Sequence, residues 1–393
     1  MSVQASYRDT WVEVSLDAIK HNIGQYKNLI GKSVNLMAVV KADGYGHGAA
    51  EVAETVLQAG ADYLAVALLD EALQLRGVGI SAPILVLGYT PIRSIKEAIL
   101  FDIDLTVFTI DVLDEIIFQA EQLQKPVSIH LKVDTGMSRI GVQSAEDALL
   151  LAEKAGASPF VFLKGIFTHF ANADSVDQTY TNKQYELFIS VISYLNQHFI
   201  HIPLKHCCNT AATMKFPDKH LDMVRVGIGI YGLYPDPSLR DHNINLKQAM
   251  SLKTKIASLK KVPISQPISY GCTSIPTQNS MIATLPIGYA DGLSRLLSNK
   301  GEFLLHCQKV QVTGRVCMDQ TMVDVSDLIG CTQGDVVTIF GCDGDTFQSV
   351  DEIAKLMGTI NYEVVCLIGK RVPRLYTSTE RKTLCNSLVT SLF

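Results

Sequence analysis

The sequence predicts an α/β protein in which an eight-stranded (β/α)8 barrel of the TIM type precedes a mostly β domain. Three observations support this fold class. The length of 393 residues suits two domains, or one large barrel with an attachment. Short β-rich runs alternate with helical patterns over the first two thirds of the chain, which is typical of βα units. After about residue 233 the alternation gives way to short apolar runs separated by turn residues.

Eight apolar runs in the first part of the chain are predicted to be the strands of the barrel. Between most of them lie segments whose apolar residues recur at helical spacing, at 50–58, 111–123, 145–155 and 184–197. Eight βα repeats favour a closed barrel, although an open doubly wound sheet also agrees with a count of strands. The predicted strands are 35–40, 63–67, 84–88, 105–108, 127–133, 162–168, 204–208 and 223–226.

The turn-rich stretch YPDPSLRDHN at 234–243 marks the boundary between the two parts. We therefore expect a barrel over 10–245 and a mostly β domain over 246–393, with residues 1–9 packing on the latter. A helix that starts with an S-x-x-E capping box is predicted at 349–357. The predicted antiparallel strands of the second domain are 252–262, 281–286, 302–306, 310–316, 322–325 and 336–340.

Composition and charge exclude several classes of protein. The 47% hydrophobic content excludes wholesale disorder, and a net charge of -5 without a basic stripe argues against a nucleic-acid partner. No apolar run reaches the roughly 18 residues of a membrane-spanning helix, and the N-terminus lacks the pattern of a secretory signal. Nine scattered cysteines indicate reduced intracellular thiols, so we expect a cytoplasmic protein without a membrane partner.

The first barrel strand ends in a lysine, Lys41, within VVKADGYGHG. A strand-end lysine is commonly an ion-pair partner, but partial desolvation between an apolar run and a glycine-rich turn would suit this amine to Schiff-base chemistry. The same turn also fits a dinucleotide-binding pattern at Gly44, Gly46 and Ala49, with Asp70 further on. Two features count against that alternative: the first glycine lies three residues past Lys41, and eight strands exceed the usual six.

Other strand ends carry polar residues whose patterns have simpler structural explanations. The D-T-G at Asp134 is typical of aspartic proteases, but no second D-T-G follows, so a turn is the better interpretation. Arg139 is a fixed cation suited to a carboxylate. His169 ends another strand, as a structural or a catalytic histidine. His206 precedes two cysteines, but neighbours on a strand point to opposite faces, so we expect no metal there.

The last two predicted strands lead into loops suited to a phosphate group. Asn209 and Thr210 offer a hydroxyl and backbone N–H groups, and Gly227 and Ile228 follow Arg225 on the next strand. Barrel enzymes commonly bind phosphate with the loops after their seventh and eighth strands. A nucleophilic lysine and a phosphate cradle at one mouth of a barrel together indicate pyridoxal 5'-phosphate as cofactor.

Motifs along nearly the whole chain make it similar to the alanine racemases. In order, they are AVVKADGYGHG, HLKVDTGMSRIG, FTHFANAD, the stretch 209–232, ISYG, IGYADG, GRVCMDQTMVD and INYEVV. The resemblance implies an N-terminal α/β barrel, a C-terminal β domain, pyridoxal phosphate as cofactor, and a homodimer whose active sites take residues from both chains. It also implies that the substrate is a small molecule, L- or D-alanine.

The same resemblance implies individual roles. Lys41 would hold the cofactor covalently, Arg225 would face its pyridine nitrogen, and Lys132 would be the lysine that is carbamylated in many members. Tyr270, Met318 and Asp319 would come from the partner subunit. The implied cofactor contacts are Lys41, Tyr45, Arg139, His169, Asn209, Thr210, Arg225, Gly227, Ile228 and Tyr362. The implied substrate contacts are Arg139, Tyr289, Met318 and Asp319, and the access route is formed by Asp174, Tyr289, Arg295 and Arg315.

Racemisation needs two bases on opposite faces of a planar carbanion. As a hypothesis, Lys41 serves the D-isomer and Tyr270 serves the L-isomer. A tyrosine phenol ordinarily has a pKa near 10, so Tyr270 would need nearby cations, for which Arg225 and His169 are suited. Because an arginine hardly gives up its proton, Arg225 would leave the pyridine nitrogen unprotonated, which shortens the life of the carbanion and disfavours transamination.

Several alternatives stay open at this point. They are a racemase of broader specificity that accepts serine or other amino acids, a pyridoxal-phosphate decarboxylase, a non-catalytic pyridoxal-phosphate carrier, and an NAD-dependent oxidoreductase. The cellular role also stays open between D-alanine biosynthesis for peptidoglycan precursors and catabolism. The sequence departs from the common family pattern at Ser138, Thr210 and Ser274, of which Ser274 alone puts the shape of its loop in doubt.

Overall fold

A computed structural model of the chain describes residues 6–241, 244–379 and 382–386. These residues form two compact units, a barrel unit and a β unit. The barrel unit takes its described residues from 19–44 and 49–247, and the β unit takes them from the N-terminal 18 residues, from 45–48 and from 248 onward. The first elements of the described residues are strand β1 (Thr10–Ser15) and helix α1 (Leu16–Ile30). No helix among the described residues is both long and apolar enough to cross a membrane.

Eight parallel strands form the barrel unit. Their order in the sheet runs from β8 through β7, β6, β5, β4, β3 and β2 to β9. The strands are β2 (Asn35–Val39), β3 (Tyr63–Val66), β4 (Ile84–Val86), β5 (Asp104–Val107), β6 (Val127–Lys132), β7 (Val161–Phe167), β8 (Leu204–His206) and β9 (Met223–Val226).

Seven helices connect these strands or follow them. They are α2 (Ala49–Gln58), α3 (Leu69–Gly77), α4 (Ile95–Leu100), α5 (Ile110–Leu123), α6 (Ala145–Gly156), α7 (Thr179–Gln197) and α8 (Thr210–Lys215). The helical spacing in the sequence reflects burial: in α5, Val112, Leu113, Ile116 and Ala120 are buried on one face.

The barrel is nearly closed between β8 and β9. These strands share no ladder, but the Arg225 N–H donates to the Cys208 carbonyl at 3.0 Å, and the Asp222 N–H donates to the Lys205 carbonyl at 3.1 Å. Strands such as β2, covered on both faces, are apolar at almost every position, which is typical of parallel sheets. The predicted eight-stranded barrel followed by a mostly β domain is therefore confirmed.

The β unit is built on one large sheet. Its strand order is β11-β12-β15-β14-β13-β16-β10-β1-β18-β19, and β17 pairs with β16. Two helices, α9 (Val350–Met357) and α10 (Asn361–Cys366), precede the last strands. The strands after β9 are β10 (Met250–Lys255), β11 (Ser258–Val262), β12 (Ser280–Leu285), β13 (Glu302–Leu305), β14 (Gln308–Val312), β15 (Thr321–Asp324), β16 (Val336–Asp343), β17 (Thr346–Gln348), β18 (Arg374–Thr377) and β19 (Lys382–Cys385).

Strand β1 differs from the boundary that the sequence suggested. The barrel was expected to begin at residue 10, but β1 pairs antiparallel with β10 and parallel with β18 of the large sheet. Its alternating burial, with Val12 and Val14 inside, suits a sheet with two unlike faces rather than a fully buried barrel strand. Of residues 1–9, the first five lie outside the described residues. Arg8 belongs to the β unit and binds both carboxylate oxygens of Asp291, at 2.7 and 3.0 Å.

A second correction concerns the apolar run at 252–262. It was expected as one strand, but it forms β10 and β11, which are separated at residues 256 and 257. The two strands pair with different neighbours, β16 and β12. Alternation alone does not show such a break, because the side chains keep their period of two on both sides of it.

The capping box of α9 allows a stability prediction. The Ser349 Oγ accepts the Glu352 N–H at 3.1 Å, and the Glu352 carboxylate accepts the Ser349 N–H at 2.8 Å. Replacing Ser349 with alanine is expected to lower the free energy of unfolding by about 1 kcal/mol. Urea denaturation measures this loss. Ser190→Ala, in the interior of α7, is the matched control, and equal losses in both variants would contradict a capping role.

Candidate active site

Lys41 lies two residues after the end of β2 and is half-buried. The next residues, Ala42, Asp43 and Gly44, have φ angles of 53°, 53° and 61°, so the chain makes a left-handed turn. The Gly44 N–H closes this turn on the Val40 carbonyl at 2.9 Å. An L-residue other than glycine costs roughly 1–2 kcal/mol in this conformation. The turn that fixes Lys41 at the carboxyl end of β2 therefore needs support from its surroundings.

Glu71, in the first turn of α3, supplies that support. Its Oε1 accepts the Ala42 N–H at 2.6 Å, and its Oε2 accepts the N–H groups of Ala67 at 2.8 Å and Leu68 at 3.2 Å. One carboxylate thus ties the turn after β2 to the turn after β3, through charge-assisted hydrogen bonds. Sequence reasoning missed Glu71, because a glutamate in a first helical turn is too common to indicate such a role.

The glycines that follow Lys41 are explained by packing within the β unit. A Cβ on Gly46 would lie 2.2 Å from the Val365 carbonyl oxygen, and one on Gly48 would lie 1.7 Å from the Tyr376 hydroxyl. The Gly46 carbonyl also accepts two hydrogen bonds from Arg374, at 3.0 and 3.2 Å. Close packing therefore accounts for Gly46 and Gly48, and the left-handed φ of 61° accounts for Gly44. A dinucleotide-binding loop is not needed to explain these glycines.

Arg225, on β9, is a fully buried guanidinium. Its Nη1 donates to the His206 Nδ1 at 2.8 Å and to the His206 carbonyl at 3.1 Å. Its Nη2 donates to the carbonyls of Thr168 at 2.7 Å and Cys207 at 3.2 Å, and lies 3.4 Å from the His169 Nδ1. Burial lowers the pKa of Arg225 to about 10. Among the described residues no carboxylate forms an ion pair with it, so its positive charge is available to a ligand.

Further cations lie at the same mouth of the barrel. Burial lowers the pKa of His169 well below its ordinary value, and positive charges nearby lower it further. These charges belong to Arg225, Arg139, Lys132 and Lys41. A concentration of positive charge around a neutral histidine suits an anionic ligand. The phosphate and phenolic oxygens of pyridoxal phosphate have the chemistry that this set of donors requires.

Asp134 is a negatively charged group beside these cations, and it serves a turn. Its Oδ1 accepts the N–H groups of Gly136 at 2.9 Å and Ser138 at 3.0 Å. Burial raises the pKa of Asp134, but these hydrogen bonds and the charge of Lys132 outweigh burial and leave the pKa below its ordinary value. The D-T-G sequence is thus the turn after β6, and Asp134 has the environment of a structural carboxylate.

Lys132 is the last residue of β6, and its side chain is buried. Its Nζ donates to the Val133 carbonyl at 2.7 Å and lies 5.4 Å from the centre of the Phe167 ring. Burial and the charge of Arg225 lower the pKa of Lys132 to about 7, despite the nearby Asp134. At neutral pH a large fraction of this amine is therefore unprotonated and nucleophilic.

The two loops predicted to bind phosphate are joined to one another. The Thr210 Oγ1 accepts the Gly227 N–H at 2.9 Å, and the Asn209 Oδ1 caps α8 by accepting the Ala212 N–H at 3.0 Å. The side chain of Ile228 is fully buried. The structure therefore brings these residues together, and it gives the Asn209 side chain a capping role that the sequence did not predict.

The β unit presents a second group of predicted site residues on its surface. Tyr270 is 72% exposed, Met318 is 54% exposed and Tyr289 is 43% exposed. The Tyr289 N–H donates to the Cys317 carbonyl at 2.9 Å, which places Tyr289 beside the segment that carries Met318. Exposed apolar side chains that lie together in one patch commonly mark an interface.

Two arginines, Arg315 and Arg371, contact residues next to these exposed side chains. The Arg315 guanidinium lies against Gly271, since a Cβ on that glycine would be 3.3 Å from the Arg315 Nε. Asp319 accepts a hydrogen bond from the Arg371 Nη2 at 2.7 Å. Sequence reasoning predicted Arg315 and Asp319 but missed Arg371, because nothing in the sequence near Arg371 indicates which carboxylate it meets.

Tyr45 and Tyr362, both predicted to hold phosphate, lie close together within the β unit. Their ring centres are 6.2 Å apart, with an angle of 53° between the rings. Tyr45 is buried and Tyr362 is half-buried. Two residues predicted for the access route lie apart from the others. Among the described residues, neither the half-buried Asp174 of the barrel unit nor the exposed Arg295 of the β unit forms a side-chain hydrogen bond or ion pair with another site residue of its own unit.

Family comparisons cover most of the chain. The model described as alanine racemase, N-terminal domain, matches residues 14–235. The model described as alanine racemase, C-terminal domain, matches residues 249–376.

Individual relatives agree with the family match. The chain is 58% identical to alanine racemase 2 of Oceanobacillus iheyensis over 374 residues, which cover 95% of both chains. It is 46% identical to alanine racemase 2 of Bacillus subtilis, over 94% of this chain and 95% of the relative. A crystal structure of alanine racemase from Bacillus anthracis with bound L-Ala-P is similar with a TM-score of 0.93 and 41% identity, covering 98% of this chain and 99% of the other.

Proposed function

The chain belongs to the alanine racemase family of amino-acid racemases, and on that premise we propose that it interconverts L-alanine and D-alanine with pyridoxal phosphate and two bases. The observation that carries the proposal is the set of cations at the mouth of the barrel unit. It includes Lys41 and a buried Arg225 that pairs with no carboxylate among the described residues. This arrangement supplies an amine for covalent attachment and a positive field for an anionic cofactor.

The residues present fit pyridoxal phosphate. Lys41 would hold it covalently, and the joined loops that carry Thr210, Gly227 and Ile228 would hold its phosphate, together with Tyr45 and Tyr362. Arg139 would lie beside the phenolic oxygen. When bound, pyridoxal phosphate withdraws electrons from the substrate's α carbon and makes the α hydrogen acidic.

Arg225 would determine how strongly those electrons are withdrawn. Its Nη1 and Nη2 donate to acceptors of the barrel, so its plane is fixed before any ligand arrives. A guanidinium offers N–H groups to a pyridine nitrogen and keeps its own protons at neutral pH, even with its pKa lowered to about 10. An aspartate in this place would instead favour a protonated nitrogen. Arg225 thus favours the return of a proton to the α carbon over transamination or decarboxylation.

The two bases would be Lys41 and Tyr270. Lys41 moves the proton on the face used by D-alanine, and Tyr270 of the partner subunit moves it on the face used by L-alanine. The 72% exposure of Tyr270 supports a contribution to a partner, since a proton-transferring phenol works best where water is excluded. Met318, Asp319 and Tyr289 would accompany it, and a homodimer of this kind would contain two shared sites.

The small size of the pocket would determine which amino acids fit as substrates. Tyr45, Tyr289 and Tyr362 would crowd the pocket, and alanine has the smallest side chain of any chiral amino acid. Serine adds one hydroxyl, which apolar pockets reject poorly. Racemisation rates with alanine, serine and lysine test this proposal. Alanine is expected to react fastest and lysine at a negligible rate, and a fast rate with lysine would contradict the proposal.

Borohydride trapping tests the cofactor assignment. The purified protein is expected to show visible absorbance from a covalently bound pyridoxal group, and reduction should abolish that absorbance. Peptide mapping should then find the reduced cofactor on Lys41. Colourless protein that added pyridoxal phosphate does not restore, or a label on another lysine, would overturn the proposal.

We further propose that Lys132 carries a carbamate. The neutral amine adds to the carbon of CO2 and loses one proton, which leaves an N-carboxylate. That negative charge would face Arg139 and Arg225, whose positive charges oppose a protonated Lys132. Because the pKa is about 7, the unprotonated fraction of the amine rises as the pH increases through neutrality.

The sign of the pH dependence can be tested. With 13C-labelled bicarbonate, a carbamate resonance is expected at about pH 8 and should weaken at about pH 6, as Lys132 becomes protonated. Without CO2, the stability of the fold should rise between about pH 7 and 10.5, because only the unfolded chain keeps that proton. Lys132→Met should remove the resonance. A resonance that survives the substitution would contradict the assignment.

A further inference from the structure

A chain of polar side chains leads from Arg225 through the interior of the barrel to its opposite end. The Arg225 Nη1 donates to the His206 Nδ1 at 2.8 Å, and the His206 Nε2 lies 3.0 Å from the His130 Nδ1. The His130 Nε2 faces the Asp104 Oδ2 at 3.7 Å, and Lys164 binds the same oxygen at 2.9 Å. Asp104 is the first residue of β5, so this series of polar side chains ends at the amino-terminal mouth of the barrel.

Both ends of this chain require the same arrangement of protons. Arginine only donates, so the Nδ1 of His206 is an acceptor and its proton is on Nε2. That proton is donated to the Nδ1 of His130, whose own proton is then on Nε2 and points toward Asp104. From the other end, the Asp104 carboxylate held by Lys164 can only accept, and its charge 3.7 Å from the His130 Nε2 favours a proton on that nitrogen.

The surroundings leave the two histidines little alternative. Burial lowers the pKa of both, and the charge of Arg225 lowers them further, although Asp104 opposes this effect at His130. The His206 ring stacks on Phe167 with ring centres 4.8 Å apart. A Cβ at Gly165 would lie 2.1 Å from the His130 Nδ1, so that ring fits only beside a glycine. Both histidines are therefore neutral and fixed in place.

We propose that Asp104 is a positioning residue for Arg225, which it orients through the fixed tautomers of His130 and His206. The proposal extends the proposed function, since it assumes that Arg225 faces the cofactor. At the His130 Nε2, a buried donor that makes no hydrogen bond among the described residues, Asp104 is the facing acceptor. Without that acceptor the proton can move to the Nδ1 of His130. His130 would then donate to the His206 Nε2, and the His206 Nδ1 would carry a proton and no longer accept from Arg225.

Nitrogen-15 NMR of the full chain with labelled histidine tests the tautomers directly. In the wild-type protein, both histidines are expected as neutral Nε2–H tautomers from about pH 7 to 9, with and without pyridoxal phosphate. A proton on Nδ1 of either histidine, or a charged ring in that range, would overturn the proposal. This measurement needs no variant and no cofactor. The role of Asp104 can therefore be overturned while the proposed function stands.

Asp104→Asn tests the effect on Arg225. Lys164 would hold the amide oxygen of the new asparagine, so its NH2 group would face the His130 Nε2 and favour the Nδ1–H tautomer. The affinity for pyridoxal phosphate is expected to fall about tenfold, as for loss of one buried hydrogen bond to a charged group. Lys164→Gln keeps the carboxylate, so it should keep the wild-type tautomers.

The matched control is Asp222→Asn. Asp222 lies just before β9 and pairs with Lys205 at 3.0 Å, as Asp104 pairs with Lys164, but it has no histidine partner in the part of the chain that the structure describes. This control should change neither the tautomers nor the cofactor affinity. Unchanged tautomers and affinity in Asp104→Asn, or equal changes in the control, would show that Asp104 acts on stability alone and would overturn the proposal.

Discussion

Replacement of Tyr270 by phenylalanine is expected to lower the turnover of L-alanine by about 10²–10⁴-fold, the usual contribution of one proton-transferring group. The substitution removes only the hydroxyl, and the aromatic ring of this exposed side chain remains. Lys41 is unchanged, so exchange of the α hydrogen of D-alanine with solvent should continue at a rate much closer to that of the wild type. The two faces of the substrate would thus respond differently to one missing atom.

Measurements in deuterium oxide separate these rates. Proton NMR follows loss of the α hydrogen from D-alanine, and polarimetry follows racemisation of L-alanine. Tyr7→Phe, another exposed tyrosine of the β unit, is the control and should leave both rates unchanged. Equal losses for the two isomers would contradict a separate base for each face.

Replacement of Lys41 by alanine is expected to abolish racemisation in both directions. The variant loses the covalent attachment and one of the two bases. The rate of racemisation should therefore fall by more than the factor of about 10²–10⁴ that a single proton-transfer group contributes. The left-handed turn after residue 41 is held by Glu71 and by the Val40 carbonyl, neither of which involves the lysine side chain. The variant should therefore fold normally.

Three measurements define this outcome. Activity in both directions should vanish, borohydride should trap no cofactor on the chain, and the thermal midpoint should stay near that of the wild-type protein without cofactor. Lys96→Ala, at an exposed lysine of α4, is the control and should retain activity and labelling. Substantial racemisation by Lys41→Ala would contradict the role of this lysine.

Much of the fold could be predicted because periodicity reflects burial. Every predicted barrel strand overlaps an observed one, since a parallel strand covered on both faces is a continuous apolar run. Strand β1 is different. Its alternating pattern indicates that one face is buried. Its partners β10 and β18, however, lie more than 200 residues away in the sequence. No local pattern specifies such pairing.

The residues of the site also fall into two groups, those that the sequence could predict and those that it could not. Lys41, Lys132 and Arg225 stand at or near strand ends, where barrel topology brings them to one mouth, so their position in the sequence was informative. Glu71 and Asp104 act through contacts between different strands and helices. Their roles depend on distances of a few ångströms that only the folded chain specifies.

Mixing two variants that each lack one proposed base tests the proposed shared site most directly. If each site takes Lys41 from one subunit and Tyr270 from the other, a dimer with one Lys41→Ala subunit and one Tyr270→Phe subunit would have one site with both changes and one site with neither. Coexpression of differently tagged chains, with isolation of the mixed dimer, is expected to recover about half of the wild-type activity per dimer. Mixed dimers as inactive as either parent would contradict the claim that each site combines Lys41 of one subunit with Tyr270 of the other.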